Sequence, residues 1–150
     1  MPQSLSSVLV HLVFSTKERQ PYITLSIQPQ LHPYLAAVFR ELHCPALAIN
    51  GTQDHVHGLF LLSRTITIAD LVEEVKKRSS KWIKTKAEEL ARFQWQRGYG
   101  AFSIDQSGVP PLLDYIARQK EHHRVRTFQE EFRAFLDEYK IEYDERYVWD

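Results

Sequence analysis

The chain has one cysteine, Cys44, in 150 residues. A lone thiol excludes an internal disulfide and any multi-cysteine zinc site, and its place before Pro45 at an element boundary suits inert packing. No apolar run approaches the ~20 residues that span a bilayer. The N-terminus lacks the charged-then-apolar pattern of a secretory signal, so the expectation is a cytoplasmic protein with no membrane partner. Net charge is missing as well, because 19 basic residues balance 19 acidic ones. A neutral chain does not coat nucleic acid by bulk charge, so any such binding must use a local patch. There is also no internal repeat, low-complexity tract or linker. A soluble composition, 43% hydrophobic and 25% charged, then predicts one domain, residues 1–150, large enough to bury a core.

What is present alternates between strand and helix patterns. Leu5 to Ser15 reads as a first strand, ended by the polar turn Thr16 to Pro21. Ser26 to His43 carries Leu31, Leu35, Val38, Phe39 and Leu42 at helical spacing, with Pro29 and Pro33 confining regular helix mostly to the part after Pro33. Ala46 to Asn50 and His55 to Leu62 read as two strands joined by the turn Gly51 to Asp54. Thr67 is placed to cap a long helix from Ile68 to about Leu90. Gly100 to Asp105 is a fourth strand, and Ser107 with Pro110 opens the helix of Tyr115 and Gln119. Thr127 and Glu130 form a capping box for a last helix to about Lys140, followed by an acidic, aromatic tail. The order β-α-β-β-α-β plus two helices predicts an α+β fold: a ferredoxin-like split βαβ antiparallel sheet with additional C-terminal helices.

Chemistry concentrates in His55-Val56-His57. Two histidines two residues apart on a strand leave the same face and can share one metal ion, although a partly exposed pair of strand histidines explains the spacing equally simply. Tyr115 and Gln119 stand four apart on one helical face. By themselves they read as a half-buried tyrosine in a core stripe beside an exposed glutamine. Together with the histidines, the amide oxygen of Gln119 completes a three-ligand site with open positions, which suits catalysis better than structure. Asp54 is placed to support a histidine from behind, but a turn role is the simpler reading. His122 and His123 follow Gln119 closely enough for one to approach a metal, while a solvated helix end also accounts for them.

His55-Val56-His57 with Tyr115-Ile116-Ala117-Arg118-Gln119 resembles the single-tyrosine HUH transposases of small bacterial insertion sequences, including the REP-associated tyrosine transposases. His11 to Lys17, Trp95 to Ser103, Glu121 to Arg124 and Glu142 to Tyr147 are similar to further family segments, in the same order. Gly58 departs from the family in standing where a larger apolar residue is common. The resemblance implies a DNA transposase that cleaves and rejoins single-stranded DNA through a covalent 5′-phosphotyrosine. Tyr115 would be the nucleophile, and His55, His57 and Gln119 would hold Mg²⁺ or Mn²⁺. It further implies single-stranded or hairpin DNA as partner, and a homodimer in which the tyrosine helix of one chain reaches the histidine pair of the other. The rivals are a metal-dependent phosphodiesterase using water, and a repurposed hairpin-binding protein that no longer cuts.

Lys76 to Lys86 holds Lys76, Lys77, Arg78, Lys81, Lys84 and Lys86 without an acid. Such a run is either a solvated helix face or a stripe of phosphate contacts with Trp82 available for stacking. Lys17 and Arg19 after the first strand, and Arg97 with Tyr99, are further candidates for DNA contact.

Overall fold

The computed structural model describes residues 2–150. β1 (Leu9–Ser15) is buried at every position, so both of its faces must be covered. It pairs antiparallel with β3 (His55–Leu61) on one side and β4 (Gly100–Ile104) on the other, and β2 (Ala46–Gly51) adds to β3, giving the order β2-β3-β1-β4. This is the expected split βαβ sheet.

Strand alternation divides the side chains between two layers. Val10, Leu12, Phe14, Val56 and Phe60 face α1 (Gln28–Glu41) and α2 (Ile68–Lys84), which bury Leu31, Leu35, Phe39, Leu71 and Val75 against them. The opposite face is covered by α3 (Val109–Ala117), α4 (Gln119–His122) and α5 (Phe128–Glu138). There Leu9 and Leu59 meet Leu112 and Ile116, while Val13 and Phe102 meet Phe128, Phe132 and Leu136. The tail folds back: Trp149 packs near Phe128 and Phe132, and the Gly98 N–H donates to the Asp150 carbonyl at 2.7 Å. Among the described residues, no helix is long and apolar enough to cross a membrane.

Several expected boundaries move for identifiable reasons. β1 starts at Leu9: Leu5 and Val8 lie exposed, and Val8 keeps one backbone bond, its carbonyl accepting from the Leu62 N–H at 2.8 Å. α1 begins before Pro33: Pro29 sits in the first turn, where its missing N–H costs nothing, and the packed stripe outweighs the one bond Pro33 forfeits. α2 has the expected Thr67 cap, which accepts from the Asp70 N–H at 3.0 Å, but stops at Lys84. The Thr85 hydroxyl donates to the Trp82 carbonyl at 2.7 Å there, and Glu88–Leu90 is a separate 3₁₀ turn. Before α3, the carboxylate of Asp105 accepts from the Gly108 N–H and the Ser107 hydroxyl, so Asp105 closes that turn. Thr127 caps α5 as expected.

Two glycines on the central hairpin behave differently. A Cβ on Gly51 would stand 2.2 Å from the His55 carbonyl oxygen, whereas one on Gly58 would meet Phe39 and Ile49 at ordinary contact distances of 3.8 and 3.9 Å. Gly51→Ala should therefore lower stability by about 2 kcal/mol or more, through backbone displacement. Gly58→Ala should raise it by about 0.5–1 kcal/mol, through lost unfolded-chain freedom. Urea unfolding midpoints of the two variants test the contrast; equal shifts in the same direction would refute it.

Candidate active site

β3 begins at His55 immediately after the hairpin, with His57 opposite Val13 of β1 and Asn50 of β2. His55 and His57 thereby share the face covered by the C-terminal helices, and both are completely buried. Each imidazole is held from behind. His55 Nδ1 lies 2.7 Å from an Asp54 carboxylate oxygen and 2.9 Å from the Thr52 hydroxyl. Asp54 is thus both a turn residue and a histidine support. Burial would raise its carboxyl, but hydrogen bonding and charge from His55 bring it below its ordinary value. His57 Nδ1 lies 2.8 Å from Nε2 of His11 on β1. Burial pushes His11 down to about 3 and also lowers His57, so both rings are neutral near pH 7.

The histidines meet a carboxylate that sequence pattern did not single out. Glu131, in the first turns of α5, is 1% exposed. Its Oε1 lies 2.9 Å from His57 Nε2 and 3.6 Å from His55 Nε2. Its Oε2 accepts from the Tyr115 hydroxyl and lies 3.2 Å from His123 Nε2. Burial would raise the Glu131 carboxyl, yet its contacts with His123 and His57 and the surrounding imidazoles hold it well below the carboxylate range. The Tyr115 phenol is driven far above its usual value by burial and by the adjoining Glu131 charge, so it stays a protonated donor. Glu131 was hidden because Glu130 and Glu131 together read as an acidic first turn. The one available signal was an acid facing inward beside Phe128 and Phe132.

Tyr115 and Gln119 do converge, but not on one continuous helix. α3 ends at Ala117, and Arg118 leaves helical geometry with φ −102° and ψ 25°. The Asn50 side-chain amide donates to the Ile116 carbonyl at 2.8 Å, satisfying the end of α3 where the chain breaks. Gln119 then opens α4, fully buried, with Oε1 3.3 Å from His55 Nε2 and its amide nitrogen donating to the Tyr115 carbonyl. All of these groups belong to one chain.

The donor set fits a divalent cation. One donor atom each from His55, His57, His123 and Glu131 lies within 4.8 Å of the others. Ligands about 2.1 Å from one ion stand about 3–4 Å apart, so small settling brings them into range. A cleft of about 450 Å³ opens beside the site between Asp54 and His123, with Lys120, Arg124 and Arg126 on its wall. Its cationic lining suits a phosphate backbone.

The profile of the IS200-like transposase family matches residues 4–119 of this sequence. The chain belongs to that family. Among solved structures, it is similar to one from Deinococcus radiodurans R1 assigned as a transposase, with a TM-score of 0.62 and 19% identity over 79% of this chain and 98% of that one. It is also similar to a REP-associated tyrosine transposase bound to a REP hairpin, with a TM-score of 0.60 and 17% identity over 82% of this chain and 72% of that one. At those identities the likeness is one of fold. No curated protein matches the sequence.

The basic run of this transposase separates once folded. Lys76 points inward and donates to the carbonyls of Gln96, Arg97 and Gly98 at 2.8, 3.2 and 2.6 Å; burial lowers it to about 8. Arg78 pairs with Glu41 and Glu74, and Trp82 stacks on Tyr34 with ring centroids 4.8 Å apart. Arg19 lies over the Trp149 ring of the tail. Lys77 and Lys81 are exposed on α2. Lys17 and Lys77 join Arg97 and Tyr99 around a second cleft of about 540 Å³. Lys76→Ala should cost about 1–3 kcal/mol by leaving three carbonyls short of their donor, whereas Lys77→Ala should stay within about 0.5 kcal/mol of the unmutated chain. Thermal melts of the two variants decide it, and a neutral Lys76→Ala would contradict the tether.

Proposed function

We propose that this transposase cleaves and rejoins single-stranded DNA through a covalent bond to Tyr115, with a divalent ion held by His55, His57 and Gln119. The observation carrying this reading is the convergence of a tyrosine hydroxyl, two fully buried imidazoles and a side-chain amide beside a cationic cleft. Tyr115 Oη attacks the phosphorus, forming the tyrosyl–phosphate bond as the bond to the 3′-oxygen breaks. The 5′-phosphate stays on the enzyme, and the phenolic proton ends, net, on the released 3′-hydroxyl. Because the covalent link keeps the bond energy, a second DNA end can reverse the step. His55, His57 and Gln119 would hold Mg²⁺ or Mn²⁺, whose charge would stabilise the phosphate oxygens. His11, Asp54 and Thr52 keep the two imidazoles oriented, and the α3–α5 layer packs over the tyrosine.

The hairpin bound by one structural neighbour supports a hairpin-bearing DNA partner. Lys17, Lys77 and Arg97 around the second cleft, and exposed Lys81 on α2, are the cations placed to take its backbone, with Tyr99 for stacking. Lys76, Arg78, Trp82 and Arg19 already have protein partners. A homodimer remains part of this reading, but with each tyrosine serving the histidines of its own chain.

Tyr115→Phe should abolish the denaturation-resistant protein–DNA adduct while leaving DNA affinity within about twofold, since only the attacking oxygen is lost. EDTA should abolish the adduct in the unmutated chain. A surviving adduct in the Phe variant would remove Tyr115 as nucleophile, and cleavage without any adduct would favour hydrolysis by water. Mixing inactive His57→Ala and Tyr115→Phe chains under subunit exchange should restore nothing. Recovered cleavage would instead mean that the sites are shared between chains.

A further inference from the structure

The matched family residues end at 119, while the carboxylate at the centre of the site is residue 131. We propose that Glu131 Oε1 is itself a ligand of the divalent ion, so that α5 closes the metal centre and is held in place by it. This rests on the metal-dependent reading above and adds a ligand to it.

The convergence of donor atoms carries the inference: one each from His55, His57, His123 and Glu131 lies within 4.8 Å of the others. His55 Nδ1 faces the Asp54 carboxylate at 2.7 Å, which can only accept, so Nδ1 bears the hydrogen. The other ring nitrogen, Nε2, is the one left for an ion. Gln119 Oε1 approaches it at 3.3 Å and Glu131 Oε1 at 3.6 Å. The Gln119 amide cannot be turned to offer a proton there, because its nitrogen donates to the Tyr115 carbonyl. Three acceptors therefore converge on one buried point, and a cation satisfies all three. His57 Nε2, 2.9 Å from Glu131 Oε1, joins them when its Nδ1 hydrogen is donated to His11.

Glu131 divides its two oxygens between tasks. Oε1 faces the imidazole nitrogens, while Oε2 takes the Tyr115 hydroxyl and His123. One carboxylate thus ties the ion to the nucleophile and anchors the start of α5, whose Phe128 and Phe132 pack over the same sheet face. With two imidazole nitrogens, an amide oxygen and a carboxylate, the set favours Mn²⁺ over Mg²⁺.

Calorimetric titration of Mn²⁺ and Mg²⁺ into the whole chain provides the test, alongside amide hydrogen exchange over Phe128–Glu138. The unmutated protein should bind Mn²⁺ more tightly than Mg²⁺, and Mn²⁺ should slow exchange in α5 relative to EDTA. Glu131→Gln, nearly isosteric, should lose at least about tenfold in Mn²⁺ affinity and the metal-dependent protection of α5. Glu131→Asp should recover part of both. Should the Gln variant fail to fold, α5 exchange in the unmutated chain still decides: metal binding without slower exchange there overturns the proposal. Equal Mn²⁺ affinity of unmutated and Glu131→Gln protein overturns this ligand alone and leaves the metal reading intact. No Mn²⁺ binding by the unmutated chain overturns both.

Discussion

A carboxylate taken out of water must be met by donors or by a cation, or it does not stay ionised. Glu131 is met by the His57 imidazole at one oxygen and by a phenol and the His123 imidazole at the other. That single requirement ties the elements together. It fixes α5 over the sheet, sets which face of β3 must carry histidines, and draws Tyr115 to the same point. It also explains why the site needs a second layer of support. The imidazoles can serve the carboxylate or an ion only while Asp54, Thr52 and His11 hold their far nitrogens.

The sheet makes this arrangement affordable by keeping its two faces for different purposes. Val10, Leu12 and Phe14 of β1 anchor an apolar layer under α1 and α2. The alternate residues His11, Val13 and Ser15 face the polar centre and its helical cover, so one strand serves core and chemistry at once. The candidate site thus sits on a widely used scaffold, under a layer added to it by the C-terminal helices.

Charge is distributed by the same logic. The chain is neutral in sum, but Arg78 is neutralised locally by Glu41 and Glu74, and Lys76 spends its hydrogens on backbone carbonyls. Other cations line two clefts: Lys120, Arg124 and Arg126 beside the histidines, and Lys17, Lys77 and Arg97 between α2 and the segment before β4. A neutral total is compatible with a DNA enzyme when basic residues are concentrated where phosphates must lie and acids are folded elsewhere.

Much of this was legible in the chain itself, because period-two and period-3.6 patterns depend only on local backbone geometry. The antiparallel sheet, the Thr67 and Thr127 caps, the shared face of His55 and His57, and the family all followed from such patterns and motifs. Helix ends were less legible: Asn50, far away in sequence, satisfies the end of α3, and Thr85 stops α2 early. The use of each lysine was also undecided, since a basic run looks the same whether its members face phosphate, a carboxylate or a carbonyl. Only tertiary structure could bring Glu131 to His57, 74 positions away. Local sequence signals an acid in a helix's first turn; whether that acid faces water or a buried histidine cluster depends on the packing of Phe128 and Phe132 against a strand more than 20 residues earlier.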